Sequence, residues 1–511
     1  MSSATGMVAA SHPLAVDAAV AVLAEGGTAA DAAVAAAAML TVVDPRSTGI
    51  GGDLFALYWE PGADAPVGLA AAGGAPAGMT VEALRAQGFD AMPPDGPWTA
   101  TVPGAPWGWT ELVDRYGSLD RARILAPAVA AARDGFAVAP IVAEEWHLGA
   151  DKLRRNPDAA ALFLPDGRVP EAGTTFTNPG LADALETFIR DGHQPFYSGG
   201  FATGYADAVG RLGGPLQAGD LNDWPGPEWV DPIRGQFRGV DIFEMPPPGQ
   251  GVVVLEAAQL YQGLVSSSVG EADHQLAECL KVAFGDAADH VADPRFGPVP
   301  VEHLLDPDRL AKVRDLIDSQ ASDFRGPGVA SDTVYVCVVD RSGAACSLIQ
   351  SLYESFGSGV MAPGSGLLLH NRGNGFTLRD GHPNRPEGGK RPYHTIIPAM
   401  LGESTGFRGC LGIVGGFMQP QGQLQILRNV FDRGMSAQEA IDAPRLRVTR
   451  GRQLALEAGY DAAAAAELAA RGHEITDLPR FECGGAQMIL RTESGLDGGS
   501  DRRKDGYVGV C

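Results

Sequence analysis

Lysine is nearly missing from this chain. Five lysines stand beside 34 arginines, and the 39 basic residues fall well short of 62 acidic ones, leaving a formal net charge of −23. So acidic a chain lacks the basic face that a nucleic-acid partner requires, and no nucleic-acid binding is expected. An anionic substrate would need a local positive pocket set against the overall field. Cysteine is scarce as well. Cys279, Cys337, Cys346, Cys410, Cys483 and Cys511 show no Cys-x-x-Cys pair and no metal-ligand spacing. That argues against a disulfide-built fold and against a metal site, and it points to reduced thiols. No run of ~18 apolar residues free of charge occurs, so no membrane span is expected. The opening residues Met1 to Gly6 contain no basic segment leading into an apolar one. No secretory leader is therefore expected, and the expected location is cytoplasmic. Long polar tracts, charge runs and fixed-period repeats are also missing.

What the chain does have is apolar residue content, 45% of 511 residues, ample for a large core. Ser331 to Asp340 reads as a strand rich in Val, Tyr and Cys, with a hydroxyl at its front edge. Asp340-Arg341-Ser342-Gly343 reads as a turn in which Gly343 supplies positive φ, and Ala344 to Ser351 as the returning strand. Pairing Val339 with Ala344 sets Thr333 opposite Gln350, one residue from Ser351. A bulge would close that gap and bring the Thr333 and Ser351 hydroxyls together.

Around this hairpin the pattern predicts helices over Pro13–Glu25, Ala29–Leu40, Trp107–Tyr116, Leu119–Arg133, Gly251–Gln262, Asp273–Asp286 and Gln421–Arg433. The Ala-rich second of these is apolar nearly all round and should be buried. Strands are predicted over Leu54–Trp59, Gly235–Phe243, Leu367–Leu369, Tyr393–Leu401 and Gly409–Val414. Residues 157–226, rich in Gly, Pro and Asp, read as loops with short helices. Arg309–Gly328 reads as a charged helix running into Gly326-Pro327-Gly328, a flexible approach to Asp332-Thr333. Gly49-Ile50-Gly51-Gly52 precedes a strand and lacks GxGxxG spacing, so it is no dinucleotide fingerprint, and no cofactor is expected. His274 and His290 read as structural. Gly402-Glu403-Ser404-Thr405-Gly406 matches GxSxG, the signature of a serine esterase elbow. A strand follows it where the elbow needs a helix, so a hairpin turn is predicted.

Asp332-Thr333 with its hairpin resembles the processing site of γ-glutamyltransferases, N-terminal-nucleophile hydrolases that cut their own chain. Six further stretches resemble that family in order: Met7–Leu14, Gly26–Val34, Gly49–Asp53, Gly389–Pro392, Gly415-Gly416 and Ser500–Gly506. The resemblance implies an α+β fold, the four-layer αββα sandwich. It implies a precursor (a zymogen) split into residues 1–332 and 333–511, together one structural domain. The expected assembly is a heterodimer of these two fragments, with a dimer of heterodimers left open; the expected ligand is a small-molecule substrate.

Threonine is a weak nucleophile at its free pKa and needs a base. An N-terminal threonine has one in its own α-amino group, whose pKa of about 7.7–8.0 suits neutral pH. That amine exists only after the Asp332–Thr333 bond is cut. The resemblance gives Ser351 a hydrogen bond to the nucleophile and Gly415-Gly416 the oxyanion hole. It also marks departures at the substrate end. Ala72 stands where the family has an arginine, Tyr353 where it has an asparagine, Arg372 a glutamine, Gly375 an aspartate, and His394-Thr395 a serine pair. Both anchors of a γ-glutamyl head group are thus replaced. Arg372 with His394 resembles the branch that includes oxamate amidohydrolase. The expected activity is amide hydrolysis of a small carboxylate-bearing acyl group, held by Arg372, Tyr353, His394 and Thr395. The alternatives are a true γ-glutamyl transferase or glutathione hydrolase, a biosynthetic acylase or oxalyl-removing C–C hydrolase, and an inactive scaffold homologue.

Overall fold

The structure is a computed structural model that describes residues 6–324, 326 and 332–511. Its longer elements follow the chain as β1 (Met7–Ala10), α1 (Pro13–Ala24), α2 (Ala29–Val43), β2 (Asp53–Trp59), β3 (Val67–Ala71), α3 (Ala105–Tyr116), α4 (Arg121–Asp134) and α5 (Pro179–Asp191). Then come β4 (Glu228–Val230), β5 (Ile233–Phe237), β6 (Val240–Glu244), α6 (Gly251–Gln262), α7 (Val269–His290), β7 (Asp332–Val339) and β8 (Ala345–Tyr353). The rest are β9 (Ala399–Glu403), β10 (Gly406–Ile413), α8 (Met418–Phe431), β11 (Ala486–Thr492), β12 (Gly495–Ser500) and β13 (Tyr507–Val510).

Seven strands form one sheet in the order β13-β1-β7-β8-β2-β3-β4, and six form another, β12-β11-β10-β9-β6-β5. Side chains alternate across a strand, and here both faces are covered. Val334, Val336 and Val338 of β7 pack with α2 and its helical neighbours. Tyr335, Cys337 and Val339 pack between the sheets against Phe243, Met400, Cys410 and Ile489. On the far side, α6, α7 and α8 cover the six-stranded sheet through Val252, Leu276 and Leu424. The result is the helix–sheet–sheet–helix sandwich. Strand β7 is a continuous apolar run because neither face meets water. A one-residue slip of β7 would exchange its two sets of side chains between layers, so the register is strongly held. All fifteen residues of α2 are buried; its alanines let it lie close on the sheet. Both sheets take strands from before and after Thr333.

Several expectations are corrected. Val339 pairs with Ala345, not Ala344, because Asp340 N–H bonds the Ala344 carbonyl and the loop takes up one more residue. Gly235–Phe243 is a two-stranded hairpin, turned by Arg238 and Gly239 at φ +52° and +82°. The strand predicted from Tyr393 starts only at Ala399. Before it, the backbone of 394–397 is bonded by Pro248, Gln250, Gln419 and Gln423 instead of by a neighbouring strand. Leu367–Leu369 makes an isolated bridge at Leu368 and no strand. Residues 157–226 are mostly helical, since Pro157, Pro179 and Pro195 sit at helix starts, where a missing N–H is harmless. The charged helix spans Pro307–Arg314 and stops there. In the approach to Asp332-Thr333 Gly326 is described, at φ +92°, while Pro327, Gly328 and Ser331 lie outside the described residues. All six cysteines are free thiols. Among the described residues no helix is long and apolar enough to cross a membrane.

Candidate active site

Three adjacent strands, β7, β8 and β2, end together at one edge of the seven-stranded sheet. Ser351 is paired with Asp53, and a bulge between Gln350 and Tyr353 sets Tyr353 opposite Asp332. Thr333 shares the parity of Tyr335, Ser351 that of Ile349, and Asp53 that of Phe55. All three therefore face the space between the sheets. Thr333 Oγ1 lies 3.2 Å from Ser351 Oγ and 2.6 Å from the Asp332 carbonyl oxygen. Ser351 Oγ is 2.8 Å from that same oxygen and accepts the Tyr353 N–H at 2.7 Å. Each hydroxyl has one proton to give. If Ser351 donates to the carbonyl, Thr333 donates to Ser351, and the Thr333 oxygen is left beside the peptide bond that precedes it.

Behind these hydroxyls lies a buried polar group that sequence reasoning only half found. Arg372 sits in a short 3-10 turn, fully buried. Its Nη1 donates to Thr395 Oγ1 at 2.8 Å, and its Nε stands 4.0 Å from Asp53. The Tyr353 ring covers the guanidinium at 4.3 Å, an arrangement in which the ring face attracts the cation. Nε and Nη2 have no hydrogen-bond partner among the described residues. Arg372 thus lies beneath Tyr353, with Asp53 as its nearest carboxylate, and not at the open surface of a loop. Tyr353 holds φ +79°, a left-handed conformation that costs a bulky residue about 1 kcal/mol or more.

Asp53 is the residue the sequence reading passed over. It accepts from Gly104 N–H at 3.1 Å and pairs with His394 Nε2 at 3.0 Å, with His370 Nε2 at 3.8 Å. Burial pushes its carboxyl up to about 7, although Arg372 and the Gly104 N–H pull the other way. Burial also brings Arg372 down to about 10 and holds His394 and His370 neutral, His370 at about 3. Both members of the Asp53–Arg372 pair are shifted toward neutrality, so their 4.0 Å attraction does not repay the loss of water. The signal in the sequence was a lone acid heading an otherwise apolar strand.

Linkage then fixes the sign of a pH effect. The folded carboxyl at about 7 lies above an unfolded value near 3.9, so the folded chain binds the extra proton. The stability it contributes is present below about pH 4 and is lost as pH rises through 7. Asp53→Asn cannot titrate. Its stability, followed by thermal midpoints, is expected to gain on the wild type between pH 4 and 7, by on the order of 4 kcal/mol at most, and to level off above. Parallel midpoints across that range would show that Asp53 stays ionised throughout.

Gly415 and Gly416 stand between β10 and α8 with φ of +111° and +59°. Among the described residues neither N–H donates to a backbone carbonyl. Gln250 Nε2 bonds the Gly416 and Thr395 carbonyls at 3.0 and 2.7 Å. A hydrogen-bonded path therefore runs from the Gly-Gly turn through Gln250 and Thr395 to Arg372. A cavity of about 480 Å³ is lined by Tyr353, Asn374, Gly375, Tyr393, Phe417 and, from the approach to Thr333, Gly326. Ala72 is buried in the layer between the sheets. Ser404 lies at the exposed β9–β10 turn, followed by a strand, as the hairpin reading expects. His274, Glu278 and His473 cluster in the helical layer. There Glu278 is paired with Lys281 Nζ at 2.7 Å, so an ammonium already occupies the cluster.

The gamma-glutamyltranspeptidase family model matches residues 15–511. The chain is 36% identical to an oxamate amidohydrolase proenzyme of Klebsiella pneumoniae, over 99% of this chain and 98% of that protein. It is 33% identical to a glutathione hydrolase-like YwrD proenzyme of Bacillus subtilis, over 99% and 98%. Among solved structures, a cephalosporin acylase from Bacillus halodurans superposes with a TM-score of 0.94 at 39% identity, covering 99% of this chain and 96% of that one.

Proposed function

The chain belongs to the gamma-glutamyltranspeptidase family of N-terminal-nucleophile hydrolases, and we propose that it cuts itself before Thr333 and then hydrolyses a small carboxylate-bearing amide with that threonine. The observation that carries this is the convergence of the Thr333 and Ser351 hydroxyls on the Asp332 carbonyl. Thr333 Oγ attacks the Asp332 carbonyl carbon, the C–N bond breaks, and the hydroxyl proton passes to the departing nitrogen. Water hydrolyses the resulting ester, leaving a carboxylate on Asp332 and a free amine on Thr333. In the mature site that amine takes the Thr333 proton during attack on the substrate carbonyl and gives it to the departing nitrogen as the amide C–N bond breaks and the acyl ester forms. The Gly415 and Gly416 N–H groups receive the oxyanion, a contribution of about 3–4 kcal/mol when such donors are fixed in advance. Water then releases the acyl group.

The acid end of the substrate falls to Arg372, helped by His394 and Thr395. Two unpaired N–H donors on a guanidinium form the fork that a carboxylate fits. Tyr353 lies over that guanidinium while it is paired with Asp332. Scission removes the pairing and lets a strained residue move aside. With arginine missing at Ala72 and aspartate at Gly375, a γ-glutamyl group would leave its ammonium and carboxylate poorly matched. The test is hydrolysis by processed protein of oxamate-type and longer carboxylate-bearing amides beside neutral analogues and γ-glutamyl donors. Preference for the acids is expected; preference for γ-glutamyl donors would return the reading to a transferase or glutathione hydrolase.

Ser351→Ala probes the first step. It removes the donor to the scissile carbonyl and the acceptor of the Thr333 proton. Self-cleavage is expected to slow by roughly 100-fold, the usual effect of losing one oxyanion donor. Unchanged processing, followed by intact mass over time, would show that Ser351 does not act on that carbonyl.

A further inference from the structure

The loop Asp44-Pro45-Arg46-Ser47-Thr48 takes no part in the chemistry above, yet it aims a buried cation at the scissile residue. Arg46 is 1% exposed. Its Nη1 forms an ion pair with Asp332 Oδ1, its Nη2 with Glu145 Oε2, and Asp44 Oδ1 stands 3.9 Å from Nε. Glu145 is shared with Lys504 at 2.6 Å and Arg480 at 3.4 Å. The loop is tied to the far end of β8, since Leu352 and Phe356 donate their N–H groups to the Ser47 and Arg46 carbonyls at 3.0 and 2.8 Å. Gln350 reaches Thr48 Oγ1 at 2.9 Å. Arg46 and Ser351 are thus held in one frame. Burial alone would raise the Asp332 carboxyl, but Arg46 and Lys504 outweigh it and hold it below its usual range.

We propose that Arg46 is a positioning residue for self-cleavage, clamping the Asp332 side chain so that the carbonyl of the same residue is fixed against Thr333 and Ser351. This rests on the self-cleavage reading above. Attack by Thr333 on its own preceding carbonyl needs that carbonyl held against the hydroxyl. Two points on Asp332 define its orientation: the carbonyl oxygen, bonded by Ser351, and the carboxylate, ion-paired with Arg46. Losing the second leaves rotation about the first. The guanidinium touches the side chain and not the reacting carbonyl, so its effect passes through Asp332. It follows that the chain is selective for an acid before the nucleophile.

The experiment follows the loss of intact chain by mass in full-length Arg46→Gln, Arg46→Lys, Asp332→Asn and the double variant Arg46→Gln/Asp332→Asn, each with Thr333 in place. Either single neutral variant is expected to slow cleavage by about 10-fold to 100-fold, the scale of a misplaced reacting group. The double variant should be no slower than the slower single, because both remove one contact. Lysine, which keeps the charge but loses the fork, should fall between. Singles that cleave at wild-type speed, or effects that multiply in the double, would overturn the assignment. Should Arg46→Gln fail to fold, Asp332→Asn still decides, since it leaves Arg46 paired with Glu145; wild-type speed there ends the proposal. Cleavage persisting in Thr333→Ala would instead refute self-cleavage itself, a separate outcome from any of these.

Discussion

Thr333→Ala is expected to remain one chain of 511 residues, while the unaltered protein resolves on a denaturing gel into residues 1–332 and 333–511. The substitution removes the oxygen placed to attack the Asp332 carbonyl without disturbing what surrounds it. Thr333 is buried at a strand end, and alanine loses one hydroxyl and one methyl there. Asp332 keeps its ion pair with Arg46, and Ser351 keeps its bond to the carbonyl. Folding should survive, and both processing and turnover should disappear, since the variant has neither a nucleophile nor the amine that activates it. Thr333→Ser keeps the oxygen and should still process. Intact mass decides the matter: an alanine variant cut at the same bond would mean that an outside protease makes the cut.

The second large effect is expected at Arg372. In processed enzyme, Arg372→Ala should lower kcat/KM for a carboxylate-bearing amide by an amount equivalent to about 2–5 kcal/mol, and do little to the uncharged analogue. Arg372→Lys should also be impaired, because an ammonium offers a point charge without two parallel bonds. The Asp53 contact complicates the alanine variant, for removing the guanidinium leaves a buried carboxylate 4.0 Å away without its cation. Breaking such a pair is strongly destabilising unless the acid takes up a proton. The cleaner comparison is therefore Arg372→Ala/Asp53→Asn against Asp53→Asn alone, with thermal midpoints measured alongside. If the preference for the acid substrate survives loss of Arg372 in that background, the arginine serves only to neutralise Asp53.

Parts of the site are legible in the amino-acid sequence alone. The β7–β8 hairpin shows in its Val, Tyr and Cys content, in Gly343, and in the distance between the two runs. Counting from the turn comes within one residue of joining Thr333 to Ser351. The miss at Ala345 comes from a loop held by the Asp340 side chain, which bonds Ser342 and Ala344. Such a side-chain choice does not show in hydrophobic pattern. Arg372 and His394-Thr395 stand out only through the resemblance, as departures from it. Asp53 is in plain view inside a glycine motif, yet nothing nearby gives it a role, because its side-chain partners are Arg372, His370 and His394, more than three hundred residues away. Arg46 lies in a loop with no period at all.

What the chain by itself determined is its set of local elements: the Ala-rich helix, the apolar strand β7, the Gly343 turn, and Thr333 at a strand's front edge. Each follows from residue spacing and backbone preference, which act within a few positions of one another. Only the tertiary structure decided that β2, β7 and β8 end side by side, that Asp53 is buried among two histidines and an arginine, and that Arg46 meets Asp332. Those pairings depend on strand order and on burial from both faces of the sheet. A carboxyl becomes a group that titrates near 7 only when packing removes its water, and no property of Asp53 in the sequence records that loss.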